Sequence, residues 1–116
     1  MRVIIAGSRY FNDYEKMERL VLSVIGGMDN IEVVSGCCCG ADRLGEKLAQ
    51  MYGWSVKRFP ANWKLGKVAG LIRNTEMAKY ADMCILFPVQ GAKNSGTRDM
   101  YRKAVREGCK VYVARL

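Results

Sequence analysis

The chain has 116 residues, half of them hydrophobic, with 19 Lys and Arg against 11 Asp and Glu, a formal net charge of +8 and no histidine. That length suits one domain around one core, and no apolar run approaches the roughly 20 residues of a membrane span. Five cysteines, three of them consecutive, are odd in number and form no CxxC pair, which excludes a regular disulfide framework and leaves a zinc site almost without ligands.

The opening stretch MRVIIAGSRY has too short an apolar run for a secretory signal. The sequence therefore reads as a cytoplasmic protein with no membrane partner, no metal and no cofactor. Its positive charge favours anionic partners, either phosphorylated small molecules or nucleic acid. The basic residues are spread along the chain, so plain solubility is an equally good reason for them.

Five short apolar, β-branched runs read as buried strands: Val3 to Ala6, Ile31 to Ser35, Ser55 to Phe59, Met83 to Phe87 and Lys110 to Ala114. Helical spacing fills the gaps. The first helix carries Tyr14, Met17, Val21 and Val24 and stops at Gly26-Gly27. The second spans Ala41 to Tyr52, with Leu44, Leu48 and Met51 inward. The third spans Leu65 to Tyr80, carrying Leu65, Val68, Ile72 and Met77, with a kink near Gly70. The fourth runs from Thr97 to Glu107, with Tyr101, Ala104 and Val105 on one face. Cys84 and Cys109 lie in or beside apolar runs, where a thiol behaves as a small hydrophobe.

Strictly alternating strands and helices predict a Rossmann-like α/β three-layer sandwich, in which a mostly parallel five-stranded sheet carries helices on both faces. Ligands of such sheets bind at the carboxyl ends of the strands, near the switch in strand order. The loops after the strands are therefore the candidate site.

After the first strand, Gly7-Ser8-Arg9 offers close backbone approach, a hydroxyl and a planar guanidinium for phosphate. A tight turn and a surface ion pair would need the same residues. After the second strand, Gly36 and Gly40 bracket Cys37-Cys38-Cys39, and the loop opens a helix whose N–H groups suit an anion. Asp42 in its first turn suits a ribose hydroxyl, or simply the helix dipole. After the third strand, Asn62 and Trp63 suit a base edge and a base face, although a lone tryptophan more often plugs a core. Downstream, Arg73 and Asn74 form a pair that suits phosphate and ribose, or loop carbonyls. After the fourth strand, Ser95-Gly96-Thr97 starts a helix and suits both a phosphate cradle and an N-cap.

Taken together, Gly7-Ser8-Arg9, Ser35-Gly36 with Gly40-Ala41-Asp42, Phe59-Pro60-Ala61 with Trp63, Ala69-Gly70 with Ile72-Arg73-Asn74 and Met77, and Ser95-Gly96-Thr97 resemble the SLOG superfamily. This Rossmann-like group includes the LOG-type nucleotide hydrolases and the DNA-processing protein DprA. Within it the chain is most similar to the small stand-alone branch related to YspA and YpsA. The resemblance runs from Arg2 to about Val113 and implies binding of nucleotides or nucleotide-derived signals.

Three departures matter. Cys37-Cys38-Cys39 stands where the family usually has Gly-Ala-Arg, so a charged phosphate grip is missing there. Asn62 replaces the usual acidic residue before the tryptophan. Arg73 matches the arginine of the LOG-type hydrolases, but Met100 stands where their glutamate would be. Cleavage of an N-glycosidic bond benefits from a carboxylate. Asp99 points about 100° away from position 100 on a regular helix, and Glu76 lies within a turn of Arg73.

The leading expectation is thus a binding module for a nucleotide-like ligand, acting as a sensor or by sequestration. A nucleoside-phosphate N-glycosidase using Arg73 with Glu76 or Asp99 is the enzymatic rival. Single-stranded nucleic-acid binding comes third, since the chain lacks the interleaved aromatics of a stacking groove. A homodimer through the exposed face of the third helix is also expected.

Overall fold

The computed structural model describes residues 1–116. Its strands are β1 (Arg2–Gly7), β2 (Glu32–Ser35), β3 (Ser55–Arg58), β4 (Met83–Phe87) and β5 (Lys110–Val113). Between them lie α1 (Tyr14–Ile25), α2 (Ala41–Tyr52), α3 (Val68–Tyr80) and α4 (Ser95–Arg106). One 3₁₀ turn, Trp63–Leu65, precedes α3. The sheet order is β3-β2-β1-β4-β5 and every pairing is parallel. The Rossmann-like α/β fold expected from the alternation is therefore present, with the sheet wholly rather than mostly parallel.

Alternation of side chains along β1 divides the core. Val3 and Ile5 join Val33, Ile85 and Phe87 under α1 and α2, while Ile4 joins Val34, Cys84 and Leu86 under α3 and α4. Burying each such aliphatic side chain stabilises the fold by about 1.5–3 kcal/mol. The sheet centre holds most of them, because β3 and β5 are edge strands and carry exposed residues. This corrects the expectation that all five runs are buried strands.

Small residues set the spacing of the layers. A Cβ at Gly45 would lie 2.9 Å from Ile5 Cγ2, so glycine allows α2 to sit directly on β1. That contact fixes the phase of α2 along Ala41, Gly45, Leu48 and Ala49, and leaves Met51 67% exposed rather than inward.

The third helical segment is broken at Gly66, where φ is +77°, rather than kinked at Gly70. Its buried face is Ala69, Asn74, Met77 and Ala78, and Leu65, Val68 and Ile72 point outward. In α4 the buried face is Thr97, Asp99, Met100 and Ala104, and Tyr101 and Val105 are exposed. Both helices thus present polar residues inward toward the end of the sheet. No helix is long and apolar enough to cross a membrane.

Candidate ligand-binding site

The chain reverses its direction of winding between β1 and β4, so the loops after these two strands diverge and open a crevice. At that place the molecule has a cavity of about 730 Å³. Its wall includes Gly7, Ser8, Arg9, Gly36, Asp42, Trp63, Arg73, Asn74, Ser95, Gly96 and Thr97. Eleven residues singled out from separate loops and helix starts, and from α3, are therefore brought to one place. Ala6, Tyr10, Cys38, Met77, Gly91, Ala92, Lys93, Asn94 and Met100 complete the wall.

The floor depends on close backbone approach. A Cβ at Gly7 would stand 2.3 Å from the Phe87 carbonyl oxygen, which only glycine avoids. Ser8 then donates its N–H to that oxygen at 3.0 Å, and its hydroxyl accepts from Tyr10 N–H at 3.1 Å. Ser8 O accepts from Ala41 N–H at 3.2 Å, which ties the β1 loop to the start of α2.

Arg73 reaches across from α3. Its Nε donates to Asn74 Oδ1 at 3.1 Å and its Nη1 to the Gly36 carbonyl. Asn74 in turn donates from Nδ2 to Asp99 Oδ2 at 3.0 Å. The guanidinium is thus aimed by its neighbours while donors remain for a ligand. Gly36 lies between Arg73 and Asp42: a Cβ there would be 2.8 Å from Arg73 Nη1 and 2.9 Å from Asp42 Oδ2.

Asp42 accepts from Cys38 N–H at 3.1 Å. Burial pushes its carboxyl up to about 6, against the opposing pull of the Cys38 N–H and of Arg73. The cavity wall carries three basic side chains, Arg9, Arg73 and Lys93, against this single carboxylate. None of the three takes part in an ion pair, because the four ion pairs of the molecule involve Arg58, Arg102, Lys103 and Arg106. The field inside is positive.

The opposite wall is the start of α4. Asn94 adopts φ 53° and spends its amide on the loop before it, accepting from Val89 N–H at 3.1 Å and donating to Val89 O at 2.8 Å and Ala92 O at 3.1 Å. It gives the helix no side-chain cap. The first-turn N–H groups of α4 have no intrahelical acceptors, and they border the cavity at Ser95, Gly96 and Thr97. The Thr97 hydroxyl is buried without a hydrogen-bond partner.

Five singled-out residues do not line the cavity. Cys37, at φ 65°, turns its side chain outward while its N–H donates to Ser35 Oγ at 3.1 Å. Gly40, at φ 70°, packs the two loops together, since a Cβ would lie 2.4 Å from Ser8 O. Asn62 caps the 3₁₀ turn, accepting from Lys64 N–H at 3.3 Å. Glu76 is exposed on the outer side of α3. Asp99 is held by Asn74 and by Lys103 Nζ at 2.9 Å. Sequence reasoning passed over Lys93 and Asn94. Asparagine's tolerance of left-handed backbone was the available signal for the second.

Trp63 is 65% exposed and stands at the rim instead of plugging the core. No group of three His, Cys, Asp or Glu side chains is placed to hold a metal ion. At the other end of the sheet a shallower hollow of about 530 Å³ includes Met1, Glu32, Trp54 and Tyr80, away from these loops.

Two solved structures share this architecture. DNA processing protein A (DprA) from Streptococcus pneumoniae superposes with a TM-score of 0.70 at 20% identity, over 97% of this chain and 49% of that one. DNA processing protein A from Helicobacter pylori, described for its single-stranded DNA binding mode, gives 0.66 at 18% identity, over 100% of this chain and 66% of that one. The chain spans about half the length of the first and under two thirds of the second. No curated protein matches the sequence. The model of the YspA, cpYpsA-related SLOG family matches residues 1–66, from β1 through the 3₁₀ turn and so including the cavity loops after β1, β2 and β3. The chain belongs to the YspA, cpYpsA-related SLOG family.

Proposed function

We propose that the cavity binds a nucleotide or nucleotide-derived ligand and that the domain, residues 1–116, serves as a cytoplasmic sensor or sequestering module. The observation that carries this reading is the uncapped start of α4, at Ser95, Gly96 and Thr97, on the wall of the same cavity as the aimed Arg73. The Ser95 side chain on the same wall is exposed and brings a hydroxyl. Helix N–H groups, a guanidinium and a hydroxyl form a phosphate cradle. Asp42, at the far side, suits a ribose hydroxyl, and Trp63 at the rim suits a base face.

Mass spectrometry of small molecules released by denaturing freshly purified protein tests this without a guess at the ligand. A nucleotide-like mass is expected, and it should be lost in Arg73→Ala.

The glycosidase rival needs a carboxylate at the ligand. Glu76 lies outside the cavity and Asp99 is committed to Asn74 and Lys103, so neither expected carboxylate serves, and Asp42 is the one carboxylate on the wall that a turnover reading would have to use. Release of free base from a nucleoside monophosphate would support that reading.

Single-stranded nucleic acid is a second reading favoured by one specific feature. Exposed Trp63 is followed by exposed Lys64 and Lys67, and Lys93 stands on the cavity wall. A stacking ring among cations suits an unpaired strand, and the similar H. pylori protein is described as binding single-stranded DNA. Oligonucleotide retention that weakens steeply with salt would support it. The outer face of α3, with Val68, Leu71 and Ile72 exposed, is where two copies would pair. Sedimentation of the intact protein tests that.

A further inference from the structure

Polar side chains occupy the seam between α3 and α4, the two helices that cover Ile4, Cys84 and Leu86 of the sheet. Asn74 and Asp99 are each 8% exposed. Lys103, one turn after Asp99 on α4, keeps only 14% of its side chain exposed. Asn74 borders the cavity, whereas Asp99 and Lys103 do not. A buried ion pair is often no more stabilising than well-packed apolar side chains of similar volume, so holding two helices together is a weak reason for this set.

Hydrogen bonds run in one line from α4 to the cavity. Lys103 Nζ donates to Asp99 Oδ2 at 2.9 Å and to the Leu71 carbonyl at 2.6 Å. Asp99 Oδ2 also accepts from Asn74 Nδ2 at 3.0 Å, and Asn74 Oδ1 accepts from Arg73 Nε at 3.1 Å. Arg73 Nη1 donates to the Gly36 carbonyl. An ionised carboxylate only accepts and a guanidinium only donates. An amide between them is satisfied in one orientation alone, with its nitrogen toward Asp99 and its oxygen toward Arg73. The charge on Asp99 therefore dictates which group meets the guanidinium, and Lys103 holds that charge in place.

We propose that Asp99, braced by Lys103, is a positioning residue for Arg73, acting through the Asn74 amide to set how strongly the cavity holds an anion. The effect on affinity rests on the ligand reading above; the fixing of Arg73 does not. Two guanidinium donors are engaged by Asn74 and Gly36, and the others remain on the terminal nitrogens beside the cavity. A side chain already held in its binding geometry loses less freedom when a ligand arrives. Asp99 thus acts on a ligand only through another residue.

The test follows the Arg73 Nε–H by proton–nitrogen NMR of the ligand-free protein, with the signal identified by its loss in Arg73→Ala. Asp99→Asn frees the Asn74 amide to turn over. The Arg73 Nε–H should then exchange with solvent at least about threefold faster, as the loss of one hydrogen bond implies. Asn74→Ala cuts the line while leaving the Asp99–Lys103 pair whole, and should do the same. Arg58 Nε–H, which donates to Glu46 Oε1 at 3.0 Å outside the cavity, is the internal control and should keep its rate. An unchanged Arg73 rate in either folded variant, or equal acceleration at Arg73 and Arg58, overturns the positioning role. If Asp99→Asn does not fold, Asn74→Ala decides by the same outcomes.

For the affinity, the tightest-binding member of a panel of nucleoside mono-, di- and triphosphates is titrated calorimetrically into the wild type, Asp99→Asn, Arg73→Ala and the double variant. Asp99→Asn should weaken binding by about three- to tenfold in the wild type and leave the affinity of Arg73→Ala unchanged. A similar loss in both backgrounds would make Asp99 a structural residue only and overturn the proposal. If none of the panel binds, the affinity claim falls with the ligand reading, and the exchange rates still decide whether Asp99 positions Arg73.

Discussion

Asn94 satisfies both polar groups of Val89, with its Oδ1 3.1 Å from Val89 N and its Nδ2 2.8 Å from Val89 O. The loop after β4 is thereby tied to itself, and α4 begins without a side-chain cap. One asparagine both builds the cavity wall and leaves the helix end open to a ligand.

Replacing Asn94 separates its two contributions. Asn94→Gly keeps the left-handed backbone easy but removes three hydrogen bonds, whereas Asn94→Ala adds a strain of about 1–2 kcal/mol. Urea unfolding should rank the wild type first, Asn94→Gly second and Asn94→Ala last. Equal stability of all three would contradict the structural role given to this loop.

Thr97→Val should leave the ligand-free protein as stable as the wild type, or more stable, because it replaces a buried hydroxyl lacking a partner with a methyl group. The same change should leave phosphate or nucleotide binding within about twofold, because this oxygen is sealed from the cavity. Thermal unfolding with and without ligand reads both effects. A large loss of stability without ligand would mean that the hydroxyl already has a partner.

Much of the fold was legible in the sequence, but the inward faces of α3 and α4 were not. The bounds of α2 and β4 agree with the apolar spacing, and the five runs alternate with four helices as expected. In the third helical segment, however, Leu65, Val68 and Ile72 suggest an inward stripe that lies instead on the outside, with Leu65 in the 3₁₀ turn and the other two in α3. The inner face carries Asn74, and Arg73 beside it, because it borders the cavity as well as the sheet. In α4 the inner face likewise includes Thr97 and Asp99, while Tyr101 and Val105 are exposed. A helix that builds a polar site inverts the usual reading of amphipathicity. Site residues at the strand ends and in the loops after them were easier to find, since Gly7, Arg9 and Gly36 need no helical phase to place them.

Asp42 gives the protein a pH dependence of known sign. Its folded carboxyl titrates at about 6 against an ordinary 3.8. Between those values the folded chain holds a proton that the unfolded chain has released, so stability falls as pH rises through this window. Asp42→Asn should therefore be more stable than the wild type above pH 6, by about 1–3 kcal/mol, and indistinguishable from it at about pH 3.5. A wild type that outperforms Asp42→Asn at pH 8 would show that its charge is better compensated than this geometry implies.

Gly7→Ala tests the floor of the site. The new Cβ would sit 2.3 Å from the Phe87 carbonyl oxygen, so β1 and β4 must separate at the ligand end. A loss of about 3 kcal/mol or more is expected in denaturant unfolding, at the severe end for a single substitution. Retention of wild-type stability would refute the tight register at Gly7 and Phe87.

Calorimetric titration of the wild type and Arg73→Ala with a panel of nucleoside mono-, di- and triphosphates tests the central claim most directly. The account predicts saturable binding of at least one nucleotide to the wild type and at least about tenfold weaker binding to Arg73→Ala. No binding by any nucleotide at millimolar concentration, or equal binding by both proteins, would contradict it.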